Sequence, residues 1–401
     1  MSLIELTIKL TEEVRQKLGY DLDDRNDEKT LELIEHHVFE HNDAKYLGVK
    51  EKSEMIKTIY NRIREDLSII QPLADDNEIS EIMINGKDSV FVEKNGGICD
   101  AGVSFESVEE LEEVMRRIAS KVHREINELN PILDARLEDG SRVNAVYKNI
   151  ALNGPILTIR KFPQNRISMD DLLNFGTITI EAAEFLRKLV ISGYSIFISG
   201  GTSSGKTTFL NVLSNYIPAD ERIIVIEDSA ELQITEIKNI VRLECRNANV
   251  QGKGGVTMQQ LIKSSLRMRP DRIIVGEVRG EEVLDMIQAM NTGHDGSLST
   301  GHANSPKGMI CRLETMYLQA TDFPVEAIRQ QICEAIDIII QLGRTSDGKR
   351  RVLEITEVLD VSDGDVRLNP IYRYESSGLK ATGNSLENTL KLEMRGLADA
   401  L

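Results

Sequence analysis

The sequence predicts an α/β fold, in which a mostly parallel sheet carries helices on both faces, preceded by a smaller α+β domain and a helical bundle. Three observations predict it. From residue 181 to residue 375, short apolar runs of strand type alternate with amphipathic stretches, the order that a parallel sheet requires. A glycine-rich loop joins one of these runs to a helix at residues 200–207. Before residue 163 the pattern differs, with helices alone at first and then short strands mixed with a helix.

Composition restricts the functions that the chain can have. With 48 basic and 65 acidic residues the net charge is −17, whereas a protein whose main task is gripping nucleic acid usually has a basic surface. No apolar run reaches the roughly 20 residues that a spanning helix needs, and acidic residues from Glu5 onward replace a secretion signal, so we expect a cytoplasmic protein. The cysteines are scattered singly, which argues against disulfides and zinc: Cys99, Cys245, Cys311 and Cys333.

The same patterns divide the chain into five segments. In the first segment, helices are predicted over 3–18, 29–39 and 53–69. The last segment, the C-terminal tail, is expected to be partly helical and peripheral. The segments are a helical bundle at 1–70, an α+β domain at 71–162, a linker at 163–180, an α/β domain at 181–375 and a C-terminal tail at 376–401.

The α+β domain is predicted from short strands and one long helix, which runs from Val108 to about Leu129. Within it, Arg142 and Arg160 belong to a local concentration of cations in an otherwise acidic half of the chain. Such a cluster is either solvated surface or a set of groups that reach a bound phosphate, and the sequence leaves both open. The strands are expected at 81–84, 89–93, 141–147 and 156–162.

The glycine-rich loop has the pattern and the context of a phosphate-binding loop. Gly200 and Gly205 enclose four residues, Lys206 and Thr207 follow, an apolar strand precedes and an amphipathic helix comes after. Glycine allows the backbone amides to turn inward around a triphosphate, Lys206 can reach the β and γ oxygens, and the Thr207 hydroxyl is placed to ligate Mg²⁺. The candidate nucleotide-binding residues here are Gly200, Gly201, Thr202, Ser203, Ser204, Gly205, Lys206, Thr207 and Thr208.

Three later positions follow strands of the same predicted sheet. Glu227 ends the run 222–226, Glu277 follows the run 272–275, and His302 follows the run 297–300. Carboxylates at the carboxyl ends of such strands face the nucleotide crevice, where Glu277 can polarise the attacking water or hold Mg²⁺ and a neutral His302 can contact a phosphate. The alternatives are a turn cap for Glu227, a surface glutamate and a packed core histidine. Arg279, just after Glu277, completes the candidate catalytic set.

Taken together, the loop, the Ile226-Glu227-Asp228 box, the block Leu266–Arg279 and the block around His302 resemble the type II/IV secretion ATPase superfamily over about residues 70–375. The stretches Asp139–Ala145 and Leu157–Phe162 resemble most closely the middle domain of its Tad (Flp) pilus branch. The paired C-x-x-C element of many type II secretion members is missing, which favours that branch. Gly301 stands where Tad-like relatives often have isoleucine, which predicts a looser segment before His302.

This resemblance implies a RecA-like core, a PAS-like middle domain and a hexameric ring that binds ATP with Mg²⁺. It implies water activation by Glu227 and Glu277, sensing of the nucleotide by His302, and contacts to the nucleotide from Arg142 and Arg160. The first 70 residues fall outside the resemblance.

The leading hypothesis is therefore a hexameric motor ATPase on the inner face of the cytoplasmic membrane. It would power Tad pilus assembly or type II-like secretion through an inner-membrane platform protein, act on pilin subunits indirectly, and bind no nucleic acid directly. The alternative is a conjugation-type ATPase that moves DNA or protein substrates. A third class is a small-molecule kinase or a nucleotide switch without mechanical output. A kinase should have an acceptor-binding lid, and no lid is recognisable in the sequence.

Overall fold

The structure is a computed structural model that describes residues 3–18, 27–94, 96–137, 139–162, 167–246, 248, 253–376 and 378–397. The chain divides into two compact units, Met1–Gln164 and Asn165–Leu401. Each unit has hydrophobic cores of its own. Among the described residues, no helix combines the length and the apolar character that crossing a bilayer demands.

Three helices open the first unit: α1 (Leu3–Leu18), α2 (Asp27–Glu40) and α3 (Val49–Arg64). α3 begins four residues before the predicted start, because the Gly48 amide donates to the Glu51 carboxylate at 2.7 Å and caps the helix. It ends at Arg64 and not near residue 69, because Glu65 is extended. The shared core of the three helices contains Leu6, Leu10, Val14, Ile34, Val38, Met55, Ile56 and Ile59.

A six-stranded antiparallel sheet with one long helix forms the rest of the first unit, after the short helix α4 (Gln71–Asp75). The order in the sheet is β3-β2-β1-β6-β5-β4. The elements are β1 (Ile79–Asn85), β2 (Val90–Lys94), β3 (Gly97–Asp100), α5 (Val108–Lys121), β4 (Ile132–Arg136), β5 (Arg142–Val146) and β6 (Ile156–Arg160).

The sequence missed β3 and β4, and it made α5 too long. β3 is exposed along its whole length, so it lacks the alternation of apolar and polar residues that marks a strand. α5 ends at Lys121 and not near Leu129, because the chain enters a left-handed conformation at His123 (φ 54°).

The second unit is built on a nine-stranded sheet among the described residues, in the order β15-β14-β13-β12-β7-β11-β10-β8-β9. Strands β12 to β9 of this order run parallel, and β13 to β15 add an antiparallel extension. The elements are α6 (Met169–Asn174), α7 (Ile180–Ile191), β7 (Ile196–Gly200), α8 (Lys206–Ser214), β8 (Ile223–Glu227), β9 (Ile240–Glu244), α9 (Met258–Ser265), β10 (Arg272–Val275), α10 (Glu282–Met290), β11 (Leu298–Gly301), α11 (Pro306–Ala320), α12 (Val325–Ala335), β12 (Ile338–Arg344), β13 (Arg350–Ser362), β14 (Asp365–Glu375), β15 (Gly378–Ala381) and α13 (Leu390–Met394).

Helices cover both faces of this sheet and bury the central strands completely. In β7, Ile196 and Ile198 pack into the core that contains α7 and α8, whereas Phe197 packs into the core on the opposite face with α10 and α11. This two-sided burial explains why the central strands are continuous apolar runs in the sequence. The parallel register brings the carboxyl ends of β7, β11, β10 and β8 to one edge of the sheet.

Several details of the second unit differ from the sequence-based expectation. β9 and α10 were not predicted, and α6 lies inside the predicted linker with Leu172 buried in the core beside α7. The description of the tail as peripheral is wrong. Leu386 and Leu392 belong to the same core as β7, and Leu392 is fully buried.

Candidate functional site

The loop between β7 and α8 has the backbone that its two framing glycines require. A Cβ at Gly200 would lie 2.5 Å from the Ser204 Oγ and 2.8 Å from the Leu342 carbonyl oxygen, so only glycine fits. Gly205 caps α8 with φ 95°, a left-handed conformation that side chains disfavour. The loop thus leads directly into a helix N-terminus, where unpaired amides favour an anion.

Lys206 is the first residue of α8 and is buried beneath this loop. Its Nζ donates to the Gly201 carbonyl at 3.0 Å and lies 3.2 Å from the Nδ1 of His302. Burial lowers the pKa of Lys206, and the nearby Glu277 opposes that change. A buried ammonium whose contacts are a carbonyl and an imidazole can form a stronger, charge-assisted contact with a phosphate.

His302 follows the last residue of β11, as the sequence predicted. An ammonium can only donate, so Nδ1 accepts from Lys206 and the ring proton lies on Nε2. Nε2 lies 2.7 Å from the Glu277 Oε1. Burial and the Lys206 charge lower the pKa of His302, which keeps the ring neutral although Glu277 opposes the change.

Gly301, just before this histidine, is closely packed. A Cβ there would lie 2.8 Å from the Phe197 ring and 3.0 Å from the Met309 Cε. The residue also pairs with Ser199 in the sheet. Glycine at this position therefore makes room for two neighbouring side chains, and the looser segment stays a prediction.

Glu277 lies two residues beyond β10 and shares its carboxylate between two partners. One oxygen faces His302, and the other accepts from the Arg279 Nη2 at 2.9 Å. Arg279 also donates to the Asp228 Oδ2 at 3.3 Å, although its side chain is mostly exposed. Burial alone would raise the pKa of Glu277, but the hydrogen bond and charge of Arg279, together with the Lys206 charge, outweigh it and lower the pKa. The carboxylate is ionised at neutral pH.

Glu227, the last residue of β8, is 3% exposed and is already hydrogen-bonded. Its Oε1 accepts from the amides of Glu231 and Leu232 at 2.8 and 3.0 Å, which anchors the segment after the strand. Burial raises the pKa of Glu227 despite these two amides. The turn-capping alternative describes these contacts, and water activation by Glu227 stays a prediction.

The model of the type II/IV secretion system protein family matches residues 64–377. The chain belongs to this family. The match leaves out α1, α2 and nearly all of α3, and it covers the first sheet and the second sheet up to β14. The predicted α/β fold class is confirmed, because the chain has a mostly parallel sheet with helices on both faces.

Named relatives extend this assignment. This secretion-family chain is 32% identical over 330 residues to a putative conjugal transfer protein of Mycobacterium tuberculosis, covering 80% of this chain and 92% of the relative. It is 45% identical over 242 residues to an uncharacterised protein of Methanocaldococcus jannaschii, covering 58% of this chain but only 33% of the relative. The crystal structure of the pilus retraction motor PilT with bound ADP has the same fold, with a TM-score of 0.53, 19% identity, and coverage of 82% of this chain and 86% of that one.

Two of the predicted nucleotide contacts belong to the first unit of the secretion-family chain. Arg142 begins β5 and Arg160 ends β6, and the two are direct partners across the antiparallel pair. The two arginines are neighbours because of the register between β5 and β6, and this register could not be predicted from the sequence. Their role toward a nucleotide stays a prediction.

Two further residues at the loop were missed by sequence analysis. Arg344 and Arg350 both donate to the Ser203 carbonyl oxygen. They come from the ends of β12 and β13, about 140 residues along the chain from the loop. The only signal in the sequence is that the Asp347-Gly348 turn pair has basic residues on both sides.

Proposed function

We propose that this member of the secretion family is a hexameric motor that hydrolyses ATP to drive the transport of macromolecules across a membrane. The observation that carries the proposal is the convergence of Lys206, His302 and Glu277 at the mouth of the glycine loop. These three residues follow the carboxyl ends of three different parallel strands, β7, β11 and β10. Strand ends at one edge of a parallel sheet are where such folds bind nucleotides.

The residues present fit a magnesium nucleotide. The loop has no room for a side chain at Gly200 and leads into the amino end of α8, so its backbone can approach a polyphosphate closely. Lys206 supplies a buried positive charge, and Thr207, on the first turn of the helix, supplies a hydroxyl. Thr207 and Glu277 are the groups that would hold Mg²⁺, which neutralises developing phosphate charge when bound.

The contacts of Lys206 suggest how binding and chemistry are coupled. A γ-phosphate offers Lys206 a stronger partner than the Gly201 carbonyl and the His302 ring, because both groups would be charged. The Nδ1 of His302 then loses its donor, and the ring is free to turn toward the phosphate. Glu277, kept ionised by Arg279, retains an oxygen that can accept from an attacking water.

The relatives favour a conjugation-type role over the pilus role expected from the motifs. The mycobacterial relative that covers most of the chain is named a conjugal transfer protein. A net charge of −17 supports a motor that does not grip DNA itself. We expect such a motor to work on a membrane platform protein at the inner face of the cytoplasmic membrane. Tad pilus assembly is the second candidate, favoured by the missing C-x-x-C pair and by the Asp139–Ala145 motif.

ATPase activity measured over a range of protein concentrations, with particle mass determined in parallel, tests this proposal. We expect turnover to appear together with a sixfold particle. Lys206→Ala is expected to lower turnover by about 10³-fold, because it removes the cation that meets the phosphates. The exposed Lys238→Ala serves as a control for the loss of a lysine and is expected to match the wild type.

Two results would count against the motor. If Lys206→Ala left turnover unchanged, the loop would not be the site of hydrolysis. If a monomer had full turnover, the reaction would not require a hexameric ring. Adding single-stranded and duplex DNA separates the candidate cargoes: we expect no stimulation, whereas strong stimulation would show that the motor handles DNA directly.

A further inference from the structure

Ser203 is the loop residue whose conformation most needs outside support. Its φ is 57°, in the left-handed region that residues with a Cβ rarely adopt, and only two residues later Gly205 is left-handed as well. Two such residues in close succession make the bend that turns the loop. Since Ser203 is not a glycine, surrounding contacts must stabilise the bend.

Two arginines supply these contacts. The Ser203 carbonyl oxygen accepts from the Arg350 Nε at 3.0 Å and from the Arg344 Nε and Nη2 at 3.4 Å each. The stem of Arg350 also lies against Gly205, since a Cβ added at that glycine would be 3.4 Å from the Arg350 Cδ. The pair therefore contacts both left-handed residues of the loop.

The two arginines are held in place independently of the loop. Arg344 and Arg350 are direct cross-strand partners at the turn end of the β12–β13 hairpin. The turn between them is closed by its own hydrogen bonds, from the Thr345 amide to the Lys349 carbonyl at 3.0 Å and from the Lys349 amide to the Asp347 carboxylate at 3.1 Å. β12 pairs in parallel with β7, the strand that leads into the loop.

We infer that Arg344 and Arg350 are positioning residues that hold the phosphate loop in its binding conformation before a nucleotide arrives. By binding the Ser203 carbonyl they keep that oxygen from turning toward the anion, so the loop amides can face it. Pre-organisation of this kind raises affinity by lowering the cost of ordering the loop. The inference rests on the proposed nucleotide site and adds residues to it that the sequence motif does not contain.

The test compares Arg344→Gln/Arg350→Gln with Lys349→Gln, which removes a charge from the same hairpin without removing a donor to Ser203. In nucleotide-free protein, we expect the Ser204 amide, which donates to the Gly201 carbonyl within the loop, to exchange with solvent about 10-fold faster in the double variant and at the wild-type rate in Lys349→Gln. We expect the double variant to weaken binding of a non-hydrolysable ATP analogue and to raise KM by about 10-fold, with kcat within about 2-fold. Arg350→Lys, which keeps one donor, should recover part of the affinity.

The outcomes separate this inference from the proposed function. If the wild type binds the analogue and the double variant binds equally well, the inference is overturned and the nucleotide site stands. A fall in kcat at unchanged KM would also overturn it, because the arginines would then act in the reaction and not on the loop. If the wild type itself does not bind the analogue, the proposed function fails and the inference fails with it. The single variants repeat the comparison should the double variant not fold.

Discussion

Two clusters of charged residues lie at the two ends of the parallel strands in the second unit, and they differ in how completely their charges are paired. The cluster at the amino ends, which we call the amino-end cluster, comprises Glu221, Arg272, Asp337 and Lys391. The cluster at the carboxyl ends, the carboxyl-end cluster, comprises Lys206, Glu277, Arg279 and His302. Both are partly buried and both contain cations and carboxylates, so burial and charge alone do not separate a site from a scaffold.

The amino-end cluster satisfies its charges internally. The Arg272 guanidinium, 2% exposed, makes a two-pronged contact with the Glu221 carboxylate and donates to the Val190 carbonyl at 2.6 Å. Lys391 lies 2.8 Å from Asp337 and 2.9 Å from Asp295. Every one of these cations contacts a carboxylate, so the cluster leaves no strong electrostatic site for a ligand.

The carboxyl-end cluster pairs its charges incompletely. Lys206 contacts a carbonyl and an imidazole in place of a carboxylate, and the positive partner of Glu277 is a mostly exposed arginine. A cation held by neutral groups gains free energy when an anion arrives, whereas one already paired must first lose its partner. The difference teaches that incomplete pairing of charges, more than burial, distinguishes the end of the sheet where we propose the nucleotide site.

Of the substitutions considered, one that breaks the amino-end cluster should have the largest effect. It should lower stability without changing nucleotide binding. We expect Arg272→Met to lower the free energy of unfolding by about 3–5 kcal/mol, because it leaves the Glu221 carboxylate partly buried without its main partner. Affinity for an ATP analogue should stay within about 2-fold of the wild type, since the site lies at the other end of the strands. Denaturant unfolding and nucleotide titration measure the two quantities.

The surface pair Arg187–Glu184 supplies the matched control for this variant. Both side chains are largely exposed, so Arg187→Met should cost less than about 1 kcal/mol. Adding Glu221→Gln to Arg272→Met should recover part of the lost stability. Equal stability of Arg272→Met and Arg187→Met would contradict the interpretation of the amino-end cluster as a closed structural network.

Changing the carboxyl-end cluster should lower turnover and leave stability nearly unchanged. Glu277→Gln keeps the size of the side chain but removes its charge, so we expect kcat to fall by about 10²–10³-fold with ATP affinity within about 3-fold. Stability should change little. The exposed neighbour Glu281, which forms no side-chain cap on α10, gives the control Glu281→Gln with wild-type turnover. Rapid hydrolysis by Glu277→Gln would remove Glu277 from the reaction.

The smallest effect should come from Lys391, and it should depend on pH. Burial disfavours its charge, but the carboxylates of Asp337 and Asp295 outweigh this and raise the pKa of Lys391 above 10.5. A raised pKa in the folded state means that the contribution is fully present below pH 10.5 and is lost as pH rises through the raised value. We expect Lys391→Met to cost about 1–2 kcal/mol at pH 7 and progressively less above pH 10.5.

Unfolding free energies of the wild type and Lys391→Met from pH 7 to about pH 11.5 measure this trend. Lys380, whose exposed side chain lies 3.5 Å from Glu375, provides the control Lys380→Met with little change at any pH. A difference between Lys391→Met and the wild type that stays constant across this range would show that packing, and not charge, makes the contribution.

Much of the site could be predicted because its residues lie next to strands. Lys206, Glu277 and His302 each follow an apolar run, and parallel strands end at one edge of a sheet, so their meeting follows from sequence and topology together. Which group contacts which could not be predicted, since it depends on the strand order β7-β11-β10-β8. His302 meets Lys206 because β11 lies directly beside β7.

The contacts that the sequence could not show are those made across long separations. Arg344 reaches Ser203 only because β12 pairs with β7, and no local pattern encodes that pairing. For Glu227 the sequence gives the position but not the partners. A glutamate at a strand end can accept from two backbone amides, as it does here, or from a water, and the sequence pattern is the same in both cases. In the first unit, β3 was missed because its exposed residues carry no periodic signal.

The burial of Leu386 and Leu392 in the core beneath β7 affects how the ends of this chain should be handled in the laboratory. Trimming the polypeptide before residue 386 would remove two buried leucines from the core that α7, α8 and β7 share, and would expose part of that core to water. In a deletion series designed to map a binding region for another protein, such a truncated chain would lose binding because it misfolds. The loss would then be mistaken for removal of the binding region. Affinity handles and reporter fusions near residue 390 deserve the same caution.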